Sequence, residues 1–218
     1  MLRSTKETKE LFNQWAQSYD QDLENASGPL LGYEQSLAIS KELLSIKKNA
    51  KLLDIGIGTG AFSSLLSETD TEVWGIDISE DMVIQCEKKH PEYYLKVGTF
   101  SEPNVDQTFD YIVSSFCFHE VLPDQRKQAL QNGSDLLKSG GKLLLLDIMF
   151  ASKQAVQDGK EAIGEYWDST GDYPIIGELD AMLRETGFIN AHWIQTGPYH
   201  WAVLADKNNE ITRNSPLK

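Results

Sequence analysis

The segment 51–62 constrains the fold of this chain more than any other, because an apolar run leads directly into glycines at alternate positions and then into an amphipathic stretch. It reads Lys-Leu-Leu-Asp-Ile-Gly-Ile-Gly-Thr-Gly-Ala-Phe, which predicts a buried strand, a turn and a helix. Gly56, Gly58 and Gly60 let the backbone turn sharply and let a ligand lie against bare main chain. Unpaired N–H groups at the start of the helix favour a polar, partly anionic small molecule.

Two classes of ligand fit this turn. Gly56-x-Gly58-x-x-Ala61 matches the dinucleotide-binding fingerprint. Asp54 favours the other class, because a carboxylate at the end of a buried strand is costly unless it is hydrogen-bonded or paired. We expect Asp54 to brace the loop amides or to meet a cationic ligand. The segment Leu-Leu-Asp-Ile-Gly-Ile-Gly-Thr-Gly resembles motif I of the class I S-adenosylmethionine (SAM)-dependent methyltransferases.

The resemblance covers about residues 10–205 and implies an α/β fold. We expect a three-layer, doubly wound, Rossmann-like sheet of seven strands, mostly parallel with a C-terminal antiparallel hairpin, and N-terminal lid helices. One methyltransferase domain is expected over residues 1–205, with lid helices at 10–48 and the core at 51–205. A polar tail at 206–218 is predicted to be disordered, and residues 1–9 are predicted to be frayed.

Composition restricts the partners. The chain has 218 residues, the usual size of one α/β domain, and a formal net charge of −13 with no basic stripe, which argues against nucleic acid and anionic lipid. No apolar run is long enough for a transmembrane helix, and the charged N-terminus lacks a signal-peptide core. Two cysteines, Cys86 and Cys117, favour a reducing compartment, so we expect the cytoplasm. The four histidines lack ligand spacing, so no metal is implied.

An acidic residue ends the next predicted strand, 72–77. Asp77 lies about 20 residues after the first glycine, where this geometry places an acid against ribose hydroxyls. It could instead be a helix N-terminal acid, although Ser79 is the better cap. The resemblance implies that Ile78, Thr99 and Phe100 surround the adenine. Many relatives carry an acid at the position of Thr99, whose hydroxyl would make a weaker hydrogen bond.

The segment 109–120 resembles motif IV of the family in its small-molecule form ending Phe-His-His, with Glu120 replacing the second histidine. The resemblance implies that the methionine tail of SAM lies near Ser114, Ser115 and Phe116.

The same resemblance puts His119 near the transferred methyl group. His119 is therefore either structural or part of the substrate pocket, and it is the first candidate for a general base, with His200 a distant second. Glu120 is predicted to be a surface acid or a helix-start residue. Asp147 ends the predicted strand 142–148, where it either braces a loop or faces the ligand.

The pattern Phe-x-x-Trp-Ala-x-x-Tyr-Asp at residues 12–20 is similar to the N-terminal lid of many small bacterial methyltransferases. In that lid Tyr19 approaches the methionine part of SAM; the alternative is a helix that only covers the core. The tentative substrate pocket comprises Trp15, Tyr33, His119, Tyr166, Trp167 and Trp201.

These features imply a SAM-dependent methyltransferase resembling a subgroup of small, uncharacterised bacterial enzymes. The expected reaction is a direct displacement, in which a nucleophile on a small-molecule acceptor attacks the sulfonium methyl group and releases S-adenosylhomocysteine (SAH). The alternatives are an NAD(P)-dependent oxidoreductase, which shares the glycine turn, and a non-catalytic SAM-binding protein. A monomer or a homodimer is expected.

Overall fold

A seven-stranded mixed sheet forms the centre of the protein, whose computed structural model describes residues 2–24, 27–67 and 70–209. The strands are β1 Lys51–Ile55, β2 Glu72–Asp77, β3 Tyr94–Val97, β4 Phe109–Ser115, β5 Leu137–Ile148, β6 Phe188–Gln195 and β7 His200–Lys207. They lie in the order β3-β2-β1-β4-β5-β7-β6. The first five are parallel, and β7 is antiparallel to both of its neighbours. The predicted fold class is confirmed.

Helices cover both faces of this sheet. They are α1 Thr5–Trp15, α2 Tyr19–Glu24, α3 Tyr33–Lys41, α4 Ala61–Leu66, α5 Glu80–Lys89, α6 Arg126–Leu136, α7 Lys153–Ile163 and α8 Ile176–Glu185. Short 3₁₀ turns occupy Gly28–Leu30, Phe118–Glu120 and Gly164–Tyr166.

The core consists of two apolar layers, one on each face of the sheet. Consecutive residues of β5 show this division, since Leu144 packs in the layer with α3 and α4, whereas Leu145 packs in the layer with α6 and α8. Both side chains are fully buried. A strand covered on both faces needs a continuous apolar sequence, which explains the four consecutive leucines of β5.

The order of the strands reverses between β1 and β4, which are neighbours although β2 and β3 lie between them in sequence. The connections that leave these two strands run in opposite directions, so a crevice opens beyond their carboxyl ends, at Ile55 and Ser115. In open α/β sheets ligands bind in such a crevice.

The N-terminal segment is ordered from close to its start, so the prediction of frayed residues 1–9 is wrong for the described part. Helix α1 begins at Thr5, because Ser4 and Glu7 form a capping box in which each side chain accepts a hydrogen bond from the backbone N–H of the other. The backbone N–H of Arg3 also donates to the carbonyl of Thr170, at 3.0 Å.

Three other predicted boundaries differ. The apolar spacing of Tyr33, Leu37, Leu43 and Leu44 predicts a helix over 33–46, but α3 ends at Lys41, where the chain tightens into turns with i→i+3 hydrogen bonds. The sequence also predicts one helical segment over 150–168, but α7 covers only Lys153–Ile163 and ends where Gly164 adopts a φ of 63°. Strand β7 runs to Lys207, into the predicted tail; residues 210–218 lie outside the described residues.

Within the ranges described above, no helix combines the length and the apolar character that spanning a bilayer requires.

Truncation of a core side chain on β5 should destabilise the protein. Leu144→Ala shortens a fully buried side chain of one apolar layer, and we expect the free energy of unfolding to fall by about 2–5 kcal/mol. Urea denaturation followed by circular dichroism measures this change. The control is Ile189→Ala on the edge strand β6, where the residue is 42% exposed and a loss of no more than about 0.5 kcal/mol is expected. Equal losses in both variants would contradict the assigned core.

Candidate functional site

A cavity of about 550 Å³ lies at the carboxyl ends of the parallel strands, beneath the N-terminal helices. Its volume is within the usual range for a small-molecule site. Four groups of side chains and main chain line it: the lid, the glycine turn, the loops after β2 and β3, and the loop after β4. The lining residues singled out from the sequence are Tyr19, Gly56, Gly58, Asp77, Ile78, Thr99, Phe100, Ser115 and Phe116.

The glycine turn joins β1 to α4, and all three of its glycines have positive φ angles. A Cβ on Gly56 would lie 2.2 Å from Sγ of Cys117, and one on Gly60 would lie 2.7 Å from the His90 ring. At Gly58 the nearest atom to such a Cβ is Tyr19 Cε1, at 3.9 Å. Packing therefore requires glycine at the outer two positions, whereas a Cβ at the middle one would make only ordinary van der Waals contact with Tyr19. Only Gly60 is absent from the cavity lining.

Asp77 connects the glycine turn to the start of α5. Its Oδ2 accepts a hydrogen bond from the N–H of Gly58 at 2.9 Å, and its Oδ1 accepts one from the N–H of Ser79 at 2.8 Å. Burial raises the pKa of Asp77 to about 6, although these N–H groups favour the charged form. The carboxylate lines the cavity while it holds two loops in place.

Asp54 lies behind the turn and does not line the cavity. Its Oδ2 accepts a hydrogen bond from the Ser63 hydroxyl at 2.7 Å. Its buried Oδ1 has no hydrogen-bond partner among the described residues. Burial raises the pKa of Asp54 to about 7, and the nearby Asp77 adds to the increase. The carboxylate thus braces α4 on one side and has an unused acceptor on the other.

The loops after β2 and β3 bring Ile78, Thr99 and Phe100 to the cavity. The Thr99 hydroxyl already accepts a hydrogen bond from the N–H of Glu102, at 3.0 Å. It retains one acceptor site and its own proton for a ligand. Thr99 therefore serves first to shape a tight turn.

Of the residues that resemble motif IV at the end of β4 and in the loop after it, some line the cavity and others hold the strands together. The Ser114 hydroxyl donates to the Ile55 carbonyl at 2.7 Å, so this side chain links two strands and is absent from the lining. Ser115, Phe116 and Cys117 do line the cavity. Phe116 has a φ of 50°, an uncommon value for a bulky side chain. Backbone strain of this kind clusters at ligand sites.

The lid contributes Tyr19, Thr5, Thr8 and Phe12 to the cavity. Trp15 stands behind Tyr19, in edge-to-face contact at 4.7 Å between ring centroids, and its Nε1 donates to Asp22. The placement of Thr5 and Thr8 escaped the sequence analysis. The capping box at Ser4 is the signal that could have revealed it, because it predicts a helix that begins five residues earlier than the apolar spacing suggests.

His119 does not line the large cavity, although the sequence analysis placed it beside the methyl group. Its Nδ1 lies 2.6 Å from Oδ1 of Asp147, and its Nε2 lies 3.5 Å from Oε1 of Glu120. The ring also stacks on Tyr173. Burial alone would lower the pKa of His119, but the two carboxylates raise it to about 10. An imidazolium at neutral pH has no lone pair with which to accept a proton, so the chemistry argues against a general base.

The predictions for the two acids in this cluster have different outcomes. Asp147 is completely buried and accepts hydrogen bonds from the N–H of His119 and of Ile148, so it braces the loop. Glu120 is not a surface acid, since its side chain is 10% exposed and lines the cavity. The pKa of Glu120 is lowered to about 2, because His119 and Arg3 outweigh the effect of burial.

Arg3, missed by the sequence analysis, fastens the N-terminus to this cluster. Its guanidinium lies 2.5 Å from Glu120 and 2.6 Å from Asp168. The Thr8 hydroxyl also donates to Glu120, at 3.1 Å. Three separate segments of the chain therefore meet at one partly buried network of charges. No local sequence pattern predicts this contact, because Arg3 and Asp168 lie 165 positions apart in the sequence.

The other aromatic residues of the tentative substrate pocket lie elsewhere. Tyr33 is buried against Phe116, Trp167 packs on Tyr173, and Tyr166 is 62% exposed. Trp201 belongs to the apolar layer beneath α6 and α8. None of them lines the large cavity. Their apolar character serves packing, which is the commoner use of buried aromatic rings.

His200, the second candidate base, is also structural. Its Nδ1 lies 2.8 Å from the Ser36 hydroxyl and its Nε2 lies 2.8 Å from the Pro29 carbonyl. Burial lowers the pKa of His200. For metals, the described part of the chain contains no group of three or more His, Cys, Asp or Glu side chains that could hold an ion.

Comparison with known proteins identifies the family. A model described as a methyltransferase domain matches residues 53–145. An uncharacterised methyltransferase of Staphylococcus carnosus (strain TM300) is 32% identical over 213 residues, which cover 92% of this chain and 100% of that protein. One from Geobacillus sp. (strain WCH70) is 30% identical over 209 residues, covering 90% and 96%. The chain belongs to the class I SAM-dependent methyltransferase family, whose cofactor is SAM.

Solved structures share the fold at lower sequence identity. Magnesium protoporphyrin IX methyltransferase of Synechocystis PCC 6803, crystallised with SAH, has a TM-score of 0.75 at 16% identity, with 94% of this chain and 100% of that one covered. A possible histamine N-methyltransferase of Thermotoga maritima has a TM-score of 0.69 at 19% identity, covering 92% and 99%. Both likenesses concern the fold alone.

The charge state of His119 can be tested by titration of the histidine rings with NMR. We expect His119 to stay protonated up to about pH 10, whereas His200 is neutral at pH 7 because its pKa is lowered. Asp147→Asn should lower the pKa of His119. The ion pairs should stabilise the fold fully below about pH 6.5, and this stabilisation should disappear as the pH rises through about 10. Titration of His119 near its ordinary value in the native protein would contradict the network.

Proposed function

We propose that this protein transfers a methyl group from SAM to a small-molecule acceptor, and that the cavity holds the cofactor. The observation that carries this proposal is the position of Asp77, which lines the cavity directly beside the open main chain of Gly58. A buried carboxylate next to bare backbone suits a ligand that presents hydroxyl groups at one end and polar groups further along.

The residues fit SAM by three features. Gly58 presents main chain to the cavity, and a side chain there would occupy space that a ligand can use. Asp54, buried behind the turn with an unpartnered Oδ1, favours a cationic ligand through its charge and not through contact. Apolar side chains of Ile78 and Phe100 flank the far end of the cavity, as an adenine ring requires. The charged side chains that line the cavity within the described chain are all acidic: Asp77, Glu102, Glu120 and Asp124.

Bound there, SAM would supply a sulfonium methyl group that an acceptor nucleophile can attack directly, with SAH as the leaving group. The protein then has to orient the two reactants and to exclude water. Tyr19 and Phe12 cover the cavity from the lid, and Phe116 closes it from the opposite side. Alignment of two reactants can lower a barrier by about 7–11 kcal/mol. Aromatic faces near a cation add about 0.5–2 kcal/mol each.

The proposed acceptor is a small molecule without strong negative charge. A lid that covers the cavity leaves little room for a macromolecule, and the net charge of −13 disfavours nucleic acid. The acidic lining opposes an anionic acceptor. We further propose a cytoplasmic location, since both cysteines are free thiols.

We assign His119 a positioning role in place of the role of base. As an imidazolium it would hold Glu120 and Asp147 together beneath the loop after β4. An acceptor that must lose a proton would then use another group or release the proton to water. This assignment favours an acceptor that is already nucleophilic without loss of a proton, such as a neutral amine.

An NAD(P)-dependent oxidoreductase is disfavoured by the family and by the acid at position 54. Isothermal titration calorimetry distinguishes the two, and we expect binding of SAM and SAH with no binding of NAD or NADP. Binding of the dinucleotides alone would overturn the proposal. Incubation with methyl-labelled SAM and a panel of neutral amines, thiols and alcohols then tests turnover. Tight binding with no transfer to any acceptor would favour a non-catalytic SAM-binding protein.

Removal of the proposed ribose ligand gives a residue-level test. Asp77→Ala should weaken SAM binding by at least about 1.5 kcal/mol, since a hydrogen bond to a buried charged group contributes about that much. Asp77→Asn retains an acceptor for the N–H of Gly58 and should lose less. Asp106→Ala is the matched control, because that side chain is 98% exposed. Unchanged affinity in both Asp77 variants would reject the assignment.

A further inference from the structure

The lid is hydrogen-bonded directly to the glycine turn. Oδ1 of Asp20 accepts a hydrogen bond from the Thr59 hydroxyl at 2.6 Å. Thr59 lies between the last two glycines of the turn and is 2% exposed. Oδ2 of Asp20 is paired with Lys89 at the end of α5. One carboxylate thus joins the lid, the turn and the helix that follows Asp77.

The neighbour of Asp20 is the lid residue that faces the cavity. Tyr19 lines the cavity, and its Cε1 lies 3.9 Å from the position that a Cβ on Gly58 would take. Adjacent residues in a helix share one short piece of backbone, so a bond that fixes Asp20 also fixes the position of the Tyr19 ring. The ring and the turn form the two sides of one narrow part of the cavity.

A second link joins α1 to the loop after β2. The Ser79 hydroxyl donates to Oδ1 of Asn13 at 2.6 Å. The N–H of Ser79 donates to Asp77. The lid is thus hydrogen-bonded to two of the loops that line the proposed cofactor site: the glycine turn, and the loop after β2 beside Asp77.

We propose that Asp20 is a positioning residue that holds Tyr19 against the glycine turn through Thr59, so that closure of the lid and the geometry of the turn form one unit. This inference rests on the proposed function, because it concerns the same cavity. The two carboxylates of α2 have different partners. Asp22 accepts hydrogen bonds from Trp15 and Ser18 within the lid, whereas the partners of Asp20 lie outside the lid.

The energetic consequence follows from linkage. A ligand held between lid and turn must order the lid if the lid is loose beforehand, and the ordering reduces its affinity. The Asp20–Thr59 bond removes part of that cost in advance. Because the Asp20 side chain is 46% exposed, solvent weakens the effect, and we expect a change in affinity of about fivefold.

The test is a double-mutant cycle with SAH as the probe. Asp20→Ala and Thr59→Val should each raise the dissociation constant for SAH about fivefold, and the double variant should be no worse than either, since both remove one bond. Thr59→Ser keeps the hydroxyl and should restore the native affinity. Asp22→Asn is the matched control on the same helix, and Lys89→Gln removes only the exposed pair; each should change the affinity less than about twofold.

Hydrogen exchange supplies a readout that is independent of ligand. Thr59→Val should speed exchange across residues 11–24, a segment that does not contain the substitution, and leave the central strands unchanged. If Asp20→Ala fails to fold, Thr59→Val and Thr59→Ser carry the test. Multiplicative losses in the double variant, or no change in lid exchange, would overturn the inference. Failure of the native protein to bind SAH would overturn the proposed function. The hydrogen-exchange result would then still test whether the Asp20–Thr59 hydrogen bond holds the lid in place.

Discussion

The hydrogen bonds of Asp77 to two backbone N–H groups are the interaction on which the rest of the site depends. One of these groups belongs to the glycine turn after β1, and the other to the start of α5 after β2. Strands β1 and β2 are neighbours in the sheet, so the carboxylate closes the gap between loops that the sheet alone would leave independent. The sheet fixes where the crevice opens, and Asp77 fixes its shape. The N-terminal lid then attaches to both of these loops, through Asp20 and Asn13.

A second polar centre lies under the loop after β4 and has a different purpose. Arg3, Glu120, His119 and Asp147 alternate in charge, and each contacts the next. Removing one member of such a buried network leaves its neighbour unpaired, at a cost greater than the pair contributes when intact. The network therefore specifies one arrangement of the N-terminus, the β4 loop and the end of β5. Both ring nitrogens of His119 lie near carboxylates of this network, which explains why this motif residue has a structural role.

The sequence predicts the fold well, and it predicts the glycine turn and the acid that line the cavity, because these features depend on local patterns. The apolar run of β5, the alternating glycines and the acid that ends β2 each carry their signal within a few residues. The prediction was weaker where the contact partner is remote. Glu120 looked like a surface acid because Arg3 lies 117 positions away, and His119 looked like a base because Asp147 is not its neighbour in sequence. The aromatic residues Tyr33, Trp167 and Trp201 were read as pocket residues, since periodicity cannot separate a ring that faces a cavity from one that faces the core.

The acidic character of the cavity links its stability to its ligand. Asp54 and Asp77 are both buried, and burial raises the pKa of each carboxyl, while the nearby Asp77 raises the pKa of Asp54 further. An acid whose folded pKa is raised gives up stability as the pH rises through that value. At neutral pH the empty site therefore carries an electrostatic cost. A ligand with positive charge would offset that cost, whereas an anionic or neutral dinucleotide would add to it or leave it in place. Asp77, which lines the cavity, thus favours a cationic cofactor, and Asp54 behind the turn adds to the negative potential when it is ionised. SAM, with its sulfonium and ammonium groups, meets this requirement.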